Sequence, residues 1–220
     1  MPWTLIESVR HDDTLLELYG KDGMFMVRAN GLELMNGFSH ESETALGKLA
    51  AAVAPAREPR LLVGGLGLGY TTAALVDGLR GIGTITVAEL SPAVIDWFER
   101  YVRTSVLPNP STNLTIVQSD LRKLLAGEDR FDVVVLDVDN GPEPLVTATN
   151  EALYSATGLR ALFACLSADG VALLWSGFKS AAFEARAREA GFVVTCEPFE
   201  RERADLSHFI YVLSKGPASQ

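Results

Sequence analysis

The sequence predicts an α/β fold: a mostly parallel seven-stranded sheet with one late antiparallel strand, preceded by a small N-terminal antiparallel β segment. From residue 39 onward, short runs rich in Val, Leu and Ile alternate with amphipathic helical segments, which is typical of a parallel sheet covered on both faces. Near the end of the chain, two strand-like runs follow each other without a helix between them. We therefore expect these last two strands to pair antiparallel at one edge of the sheet.

Residues 1–38 are predicted to form the antiparallel β-hairpin segment, and residues 39–220 a Rossmann-like domain. Turn signals divide the first segment into short β-rich runs, among them Asp22-Gly23 and Asn30-Gly31. The helix that follows has Ser39 or Ser42 as its candidate N-cap. Edge strands of small sheets often pair between subunits, so the sequence allows a homodimer without fixing the oligomeric state.

The second segment alternates strands and helices in chain order. Strands are predicted at 60–65, 84–90, 113–119, 131–138, 171–177, 192–199 and 208–214. Helices are predicted at 70–80, 92–103, 120–126, 150–167, with a break near Gly158, and 181–191. A parallel sheet with a late antiparallel strand is the arrangement of class I methyltransferase-like folds.

A glycine-rich loop follows the first strand of this sheet and precedes a helix. Gly64, Gly65, Gly67 and Gly69 lack the Cβ that would keep a nucleotide away from the loop, and they permit the turn that the loop needs. The helix N-terminus behind the loop offers free N–H groups. The loop therefore predicts a nucleotide site, and a tight strand-to-helix turn without a ligand is the alternative.

Two acidic residues follow the next two strands. Glu89, about 20 residues beyond the loop, stands where an acid accepts the ribose hydroxyls, and Asp120 stands where adenosyl-binding folds contact the adenine amino group. Their neighbours Leu90 and Leu121 are assigned to the same cofactor site. The alternatives are a solvated strand end for Glu89 and a helix N-cap for Asp120.

An acidic turn follows the fourth strand of the domain. Asp137 stands at the carboxyl end of that strand, where ligands of open α/β sheets bind, and partial burial would make it a better base at neutral pH. Asp139 and Asn140 are candidate substrate-binding residues, although this part of the chain is also a good turn sequence. Asp137 is thus the candidate catalytic residue.

His40, just before the first helix of the domain, is a further candidate to lie over the cofactor. The alternative for His40 is a position in a solvated loop.

Composition excludes several classes of function. The net charge of −9 argues against nucleic-acid binding and mildly favours a cationic substrate. The three histidines are scattered and stand near no cysteine pair, so no metal site is expected. We expect no membrane association either, because no run approaches the ~20 apolar residues of a membrane span. Two isolated cysteines and the lack of a signal-peptide pattern indicate a cytoplasmic protein with buried free thiols.

The motifs together resemble the spermidine synthase family, the aminopropyltransferases of polyamine biosynthesis, and in particular its short bacterial spermidine-synthase-like members. LLVGGLGLG is similar to that family's glycine loop, ITVAELSPAVIDWFERY to its ribose-binding segment, VQSDLRKLL to its adenine-contacting segment, and LDVDNGPEP to its catalytic turn. The resemblance implies that Glu89 binds ribose, Asp120 binds adenine and Asp137 deprotonates an attacking amine. It also implies S-adenosylmethionine or its decarboxylated form as cofactor, with methylthioadenosine or S-adenosylhomocysteine as product.

The sequence departs from the family at three places. The second acid of the catalytic turn falls on Asn140, and the acid within the glycine loop falls on Leu68. The family's Tyr-His-Glu segment is not recognisable in SHESETALGKL, residues 39–49. Three hypotheses follow: aminopropyl transfer to a small-molecule amine, methyl transfer from S-adenosylmethionine to a small molecule, and a non-catalytic nucleoside-binding protein. An NAD-dependent oxidoreductase is a weaker fourth.

Overall fold

The fold consists of two β-sheets with helices packed on the second. The computed structural model describes residues 2–11, 13–109, 111–138, 141–142, 151–199 and 208–216. Within these ranges it contains a four-stranded antiparallel sheet and a seven-stranded sheet that is mostly parallel. The predicted fold class is confirmed. None of the helices in the described ranges is long and apolar enough to cross a membrane.

The N-terminal sheet is a meander of four strands in chain order. These are β1 (Thr4–His11), β2 (Thr14–Lys21), β3 (Met24–Ala29) and β4 (Leu32–Asn36). Asp22-Gly23 and Asn30-Gly31 connect the strands as predicted, and all four residues have the positive φ that two-residue hairpin turns of type I′ require. The change from hairpins to helices falls between the end of β4 and the start of the first helix.

The second sheet has the strand order β10-β11-β9-β8-β5-β6-β7. Its strands are β5 (Arg60–Gly64), β6 (Thr84–Glu89), β7 (Leu114–Gln118), β8 (Phe131–Leu136), β9 (Leu166–Ser176), β10 (Phe192–Phe199) and β11 (His208–Lys215). The last two strands pair antiparallel, as predicted, and β11 lies between β10 and β9. Strand β8 therefore lies at the centre of the sheet, and its carboxyl end is where the site forms.

Helices cover both faces of this sheet. They are α1 (Glu41–Val53), α2 (Tyr70–Leu79), α3 (Pro92–Trp97), α4 (Arg103–Val106), α5 (Leu121–Leu125), α6 (Ala156–Cys165) and α7 (Ala181–Glu189). A π-helical turn at Phe98–Val102 joins α3 to α4. Side chains on β8 alternate between the two cores: Val133 and Val135 face one, Val134 and Leu136 the other, and all four are at most 1% exposed. Burial on both faces explains the uninterrupted apolar run in the sequence.

Three local predictions were wrong, and one was confirmed. Neither Ser39 nor Ser42 caps α1, because the N-cap is His40, without a side-chain cap hydrogen bond. The predicted helical break near Gly158 is confirmed: a 3₁₀ turn ends at Tyr154, and the Ser155 hydroxyl caps α6 by accepting from the Gly158 amide. Strand β9 begins at Leu166, five residues earlier than expected, because its first residue pairs with Phe131 of β8. Cys165 is buried as predicted, but Cys196 is only partly buried.

A partly exposed ion pair and two further hydrogen bonds join the N-terminal sheet to α3 and the π-helical turn. Glu7 of β1 accepts hydrogen bonds from the Trp97 indole (2.9 Å), the Tyr101 hydroxyl (2.7 Å) and the Arg100 guanidinium (2.6 Å). These donors, led by Tyr101, lower the pKa of Glu7 to about 2. Because β4 belongs to the same sheet as β1, this contact also places β4 over the glycine loop.

We predict that Glu7→Gln lowers the urea midpoint of unfolding at neutral pH. The native pKa of Glu7 is depressed from 4.5 to about 2, so its contribution to stability is present above pH 4.5 and is lost as the pH falls through 2. The difference between wild type and variant should therefore shrink over this interval. Glu128→Gln on an exposed turn is the control. A constant difference from pH 7 to pH 2 would contradict the prediction.

Candidate functional site

The glycine loop lies directly against the end of strand β8. Strands β5 and β8 are parallel neighbours, and the Asp137 amide donates to the Gly64 carbonyl at 2.9 Å. Gly65 has a φ of +89°, and a Cβ there would lie 2.1 Å from the Asp137 carbonyl oxygen. Both the backbone conformation and the space therefore require glycine at this position. The predicted loop and the predicted catalytic acid are brought together.

The end of the loop starts helix α2. Gly69 is the N-cap with a φ of +81°, and a Cβ at this position would meet the Phe98 ring at 2.4 Å. Gly67, with a φ of +53°, lies beneath Met35 of β4. Because Gly69 has no side chain to cap the helix, the first N–H groups of α2 face the loop without a side-chain acceptor from their own N-cap residue. This is the arrangement that suits a polar or anionic ligand group.

Glu89 holds the loop from the next strand. Its two carboxylate oxygens accept from the amides of Leu66 (3.0 Å) and Ser91 (2.8 Å). The residue ends β6 and is half-buried, while Leu90 beside it is 61% exposed. Glu89 is thus more than a solvated strand end. Its role, and that of Leu90, in binding a ribose stays a prediction.

Asp120 is the N-cap of α5, which was the structural alternative for this residue. Its carboxylate accepts from the Arg122 amide (2.9 Å) and guanidinium (3.0 Å), and hydrogen bonding to Arg122 lowers its pKa. Leu121 is 6% exposed and packs beneath Gly64. The adenine contacts assigned to Asp120 and Leu121 stay predictions, and an adenine amino group would have to share the carboxylate with Arg122.

The carboxyl group of Asp137 lies beside polar groups of helices α1 and α2. The Thr71 hydroxyl of α2 donates to Asp137 Oδ2 at 2.6 Å, and lies 3.2 Å from the Glu43 carbonyl oxygen of α1. Burial raises the pKa of Asp137 to about 7; the Thr71 hydrogen bond opposes this change and the negative charge of Glu43 adds to it. Such a group exchanges protons near neutral pH, as a general base requires.

A cavity of about 160 Å³ opens at this point. It is lined by the glycine loop, by β4 above it, by two carboxylates and by two aromatic side chains: Leu34, Met35, Asn36, Glu43, Leu66, Gly67, Leu68, Gly69, Tyr70, Asp137 and Trp175. Among these described lining residues there is no Lys, Arg or His. The cavity therefore offers two acids beside walls that are partly apolar, which suits a cation with a hydrocarbon part.

Sequence reasoning missed Glu43. A signal for it existed: α1 leads into the first residue of β5, so the first turn of α1 must lie at the carboxyl end of the sheet, beside the glycine loop. Trp175 lines the cavity at the end of β9. His40 stacks on Tyr70 with ring centroids 3.8 Å apart and is not itself part of the described lining.

Some predicted residues are not placed. Asp139 and Asn140 lie outside the described residues, so their assignment to substrate binding stays a prediction. Glu89, Leu90, Asp120 and Leu121 are described but do not line the cavity. Among the described residues, no group of three or more His, Cys, Asp or Glu side chains is arranged to hold a metal ion.

Solved structures share this fold. A spermidine synthase in complex with the transition state analogue AdoDATO has a TM-score of 0.72 at 16% identity, covering 96% of this chain and 72% of that chain. The spermidine synthase from Thermotoga maritima has a TM-score of 0.71 at 15% identity, with coverage of 96% and 72%. Human methyltransferase-like protein 13 in complex with SAH has a TM-score of 0.57 at 18% identity, covering 82% of each chain.

These likenesses confirm the Rossmann-like methyltransferase fold, and they agree with the resemblance to spermidine synthases at the level of the fold. No family model matches the chain, and no curated protein matches it.

We predict that Gly65→Ala lowers the free energy of unfolding by about 2 kcal/mol or more. The alanine would have to adopt a left-handed backbone conformation, and its Cβ would overlap the Asp137 carbonyl oxygen. Chemical denaturation measures it. Gly216→Ala is the matched control, since its Cβ would make only an ordinary contact at 3.5 Å. Equal stability of the two variants would contradict the close approach.

We predict that Asp137→Asn stabilises the protein above pH 7. The native pKa of about 7 exceeds the ordinary value of 3.8, so the charged form is disfavoured by folding. The free energy of unfolding of the wild type is then highest below pH 3.8 and decreases as the pH rises from 3.8 towards 7. The variant does not show this decrease. The decrease is at most about 4 kcal/mol, because each unit of pKa shift corresponds to about 1.4 kcal/mol. Denaturation at pH 4 and pH 8 measures it; a variant that is less stable at pH 8 contradicts it.

Proposed function

We propose that this protein is a transferase that moves the aminopropyl group of decarboxylated S-adenosylmethionine to an amine and releases methylthioadenosine. The observation that carries the proposal is the pair of carboxylates, Asp137 and Glu43, in one cavity beside the glycine loop. An amine acceptor is a cation at neutral pH, and the two acids bind that charge. The acceptor must also lose a proton before it can attack, and Asp137 has the pKa to take it.

The reaction needs little beyond alignment and this proton transfer. The amine nitrogen attacks the carbon next to the sulfonium; the new C–N bond forms as the C–S bond breaks, and its electron pair leaves on sulfur as a neutral thioether. The proton lost by the amine passes to Asp137, which is held by Thr71. Alignment of the two reactants in one enclosed site is the larger part of the rate enhancement.

The nucleoside half of the substrate is assigned to the other side of the site. Glu89 accepts hydrogen bonds from the ribose hydroxyls, and Asp120 accepts one from the adenine amino group. Leu90 and Leu121 are assigned to the same site as neighbours of these two acids. Loop residues Gly67 and Gly69 provide a cavity wall without side chains, which admits a bulky nucleoside close to the backbone.

The charge of the cavity favours the decarboxylated substrate. S-adenosylmethionine carries a carboxylate, which would meet Glu43 and Asp137 with no cation among the described lining residues to compensate it. The decarboxylated form ends in an ammonium group and meets only opposite charge. The acidic net charge of the protein, −9, acts in the same direction.

Methyl transfer from S-adenosylmethionine is the second candidate. Leu68 favours it, because this apolar side chain lines the cavity where the resembled family carries an acid for the cofactor's amino group. In that case the free amides at the start of α2 are available to the methionine carboxylate. A nucleoside-binding protein without turnover is the third candidate.

The three candidates separate in one assay. We predict that the protein, mixed with decarboxylated S-adenosylmethionine and a panel of diamines, releases methylthioadenosine in amounts measurable by liquid chromatography and mass spectrometry. Asp137→Asn should lower the rate by about 10²–10⁴, the typical contribution of a general base, and leave methylthioadenosine affinity unchanged. Asp77→Asn on the exposed face of α2 is the control.

The opposite results are distinct. Release of S-adenosylhomocysteine from S-adenosylmethionine, without methylthioadenosine release, would establish methyl transfer instead. Binding of methylthioadenosine without turnover on any amine would leave the non-catalytic candidate. If none of the adenosyl compounds binds at millimolar concentration, the nucleoside assignment itself is wrong.

A further inference from the structure

A partly buried chain of hydrogen bonds runs from Glu43 away from the cavity. The Ser42 side chain is 0% exposed, and its hydroxyl donates to Glu43 Oε2 at 2.6 Å. His208 Nδ1 lies 2.9 Å from the same hydroxyl oxygen. Because an ionised carboxylate can only accept, the hydroxyl proton points to Glu43, and the hydroxyl oxygen is left to accept from His208. The geometry therefore requires a hydrogen on Nδ1 of His208.

We propose that Ser42 and His208 are positioning residues that hold the Glu43 carboxylate in the cavity, with the His208 imidazole donating through Nδ1. This inference rests on the proposed function for its consequence, amine binding by Glu43. Ser42 and His208 lie outside the described lining of the cavity, so they act through Glu43 and touch no reacting atom.

The fold brings this chain together from two distant segments. Strand β11, which starts at His208, pairs with β9, and the His208 ring meets the Trp175 ring edge-on with centroids 4.7 Å apart. Trp175 in turn lines the cavity. Packing against Trp175 thus fixes the imidazole in the orientation that reaches Ser42, 166 residues earlier in the sequence.

Holding Glu43 in place is needed because the cavity repels it. Glu43 and Asp137 carry like charges, and the charge of Glu43 contributes to the raised pKa of Asp137. A carboxylate on a surface helix would otherwise turn towards water, where its charge is better solvated. The Ser42 hydrogen bond occupies Oε2, and Oε1 is the oxygen that accepts from the ammonium group of the amine in this proposal.

Steady-state kinetics test the positioning role, with decarboxylated S-adenosylmethionine and 1,4-diaminobutane as probes. We predict that Ser42→Ala and His208→Ala raise the KM for the diamine about tenfold, the typical effect of losing a hydrogen bond to a charged group. The kcat should change by less than about threefold, and the Kd of methylthioadenosine by less than about twofold, because neither residue reaches the nucleoside or Asp137. Ser105→Ala on an exposed turn of α4 is the matched control.

Rescue separates positioning from packing. His208→Asn puts an amide N–H where Nδ1 stands, so it should restore the KM to within about threefold of wild type, whereas His208→Ala should not. A fall in kcat with an unchanged KM, or no difference between the Asn and Ala variants, would overturn the proposal.

A measurement without turnover keeps the inference independent of the proposed function. Proton–nitrogen correlation spectra of ¹⁵N-histidine-labelled protein, at a pH where the ring is neutral, should show the Nδ1–H tautomer for His208. The signal is assigned by its loss in His208→Asn. The Nε2–H tautomer would overturn the positioning chain even if the enzyme turns over. A correct tautomer without turnover would instead contradict the proposed function alone.

Discussion

The carboxyl ends of strands β5 and β8 approach each other so closely that no side chain fits between Gly65 and the Asp137 carbonyl group. The Asp137 amide completes the contact with a hydrogen bond to Gly64. Parallel pairing fixes the register of the two strands, so the loop and the acid cannot separate without breaking the centre of the sheet. Any molecule that rests on this loop therefore lies next to Asp137.

The same contact encloses the Asp137 carboxyl group and gives it its chemical character. Helices α1 and α2 pack over it, contributing the charge of Glu43 and the hydroxyl of Thr71. Burial costs the ionised form more than the single hydrogen bond returns, and the pKa rises to about 7. A bound ammonium group would reverse that cost, which is why an acid pair of this kind suits an amine. The N-terminal sheet, docked by Glu7, covers the cavity with β4.

The sequence was sufficient for the parallel sheet, the antiparallel final strands and the position of the glycine loop, because each leaves a local pattern of apolar runs and turn residues. It also located Asp137, since the carboxyl end of a buried strand can be identified without knowing its neighbours. It did not reveal Glu43, Ser42 or His208. These residues meet only through the packing of α1 against the sheet and the insertion of β11 beside β9, and no local pattern records such contacts. The ion pair between Asp120 and Arg122 was missed for a different reason. The sequence spacing of two residues does not indicate whether an acid and a base pair with each other or with other groups.

Asp137 titrates in the neutral range because it is enclosed, and the charge of Glu43 adds to the effect. The most direct test is a pH titration of the Asp137 side-chain carboxyl carbon by ¹³C NMR, with the signal assigned by its loss in Asp137→Asn. The structure predicts a midpoint of about 7, and a lower midpoint in Glu43→Gln, which removes the like charge. A midpoint near the ordinary value of 3.8 in the wild type would show that enclosure does not set this pKa, and a midpoint that Glu43→Gln leaves unchanged would exclude the contribution of Glu43.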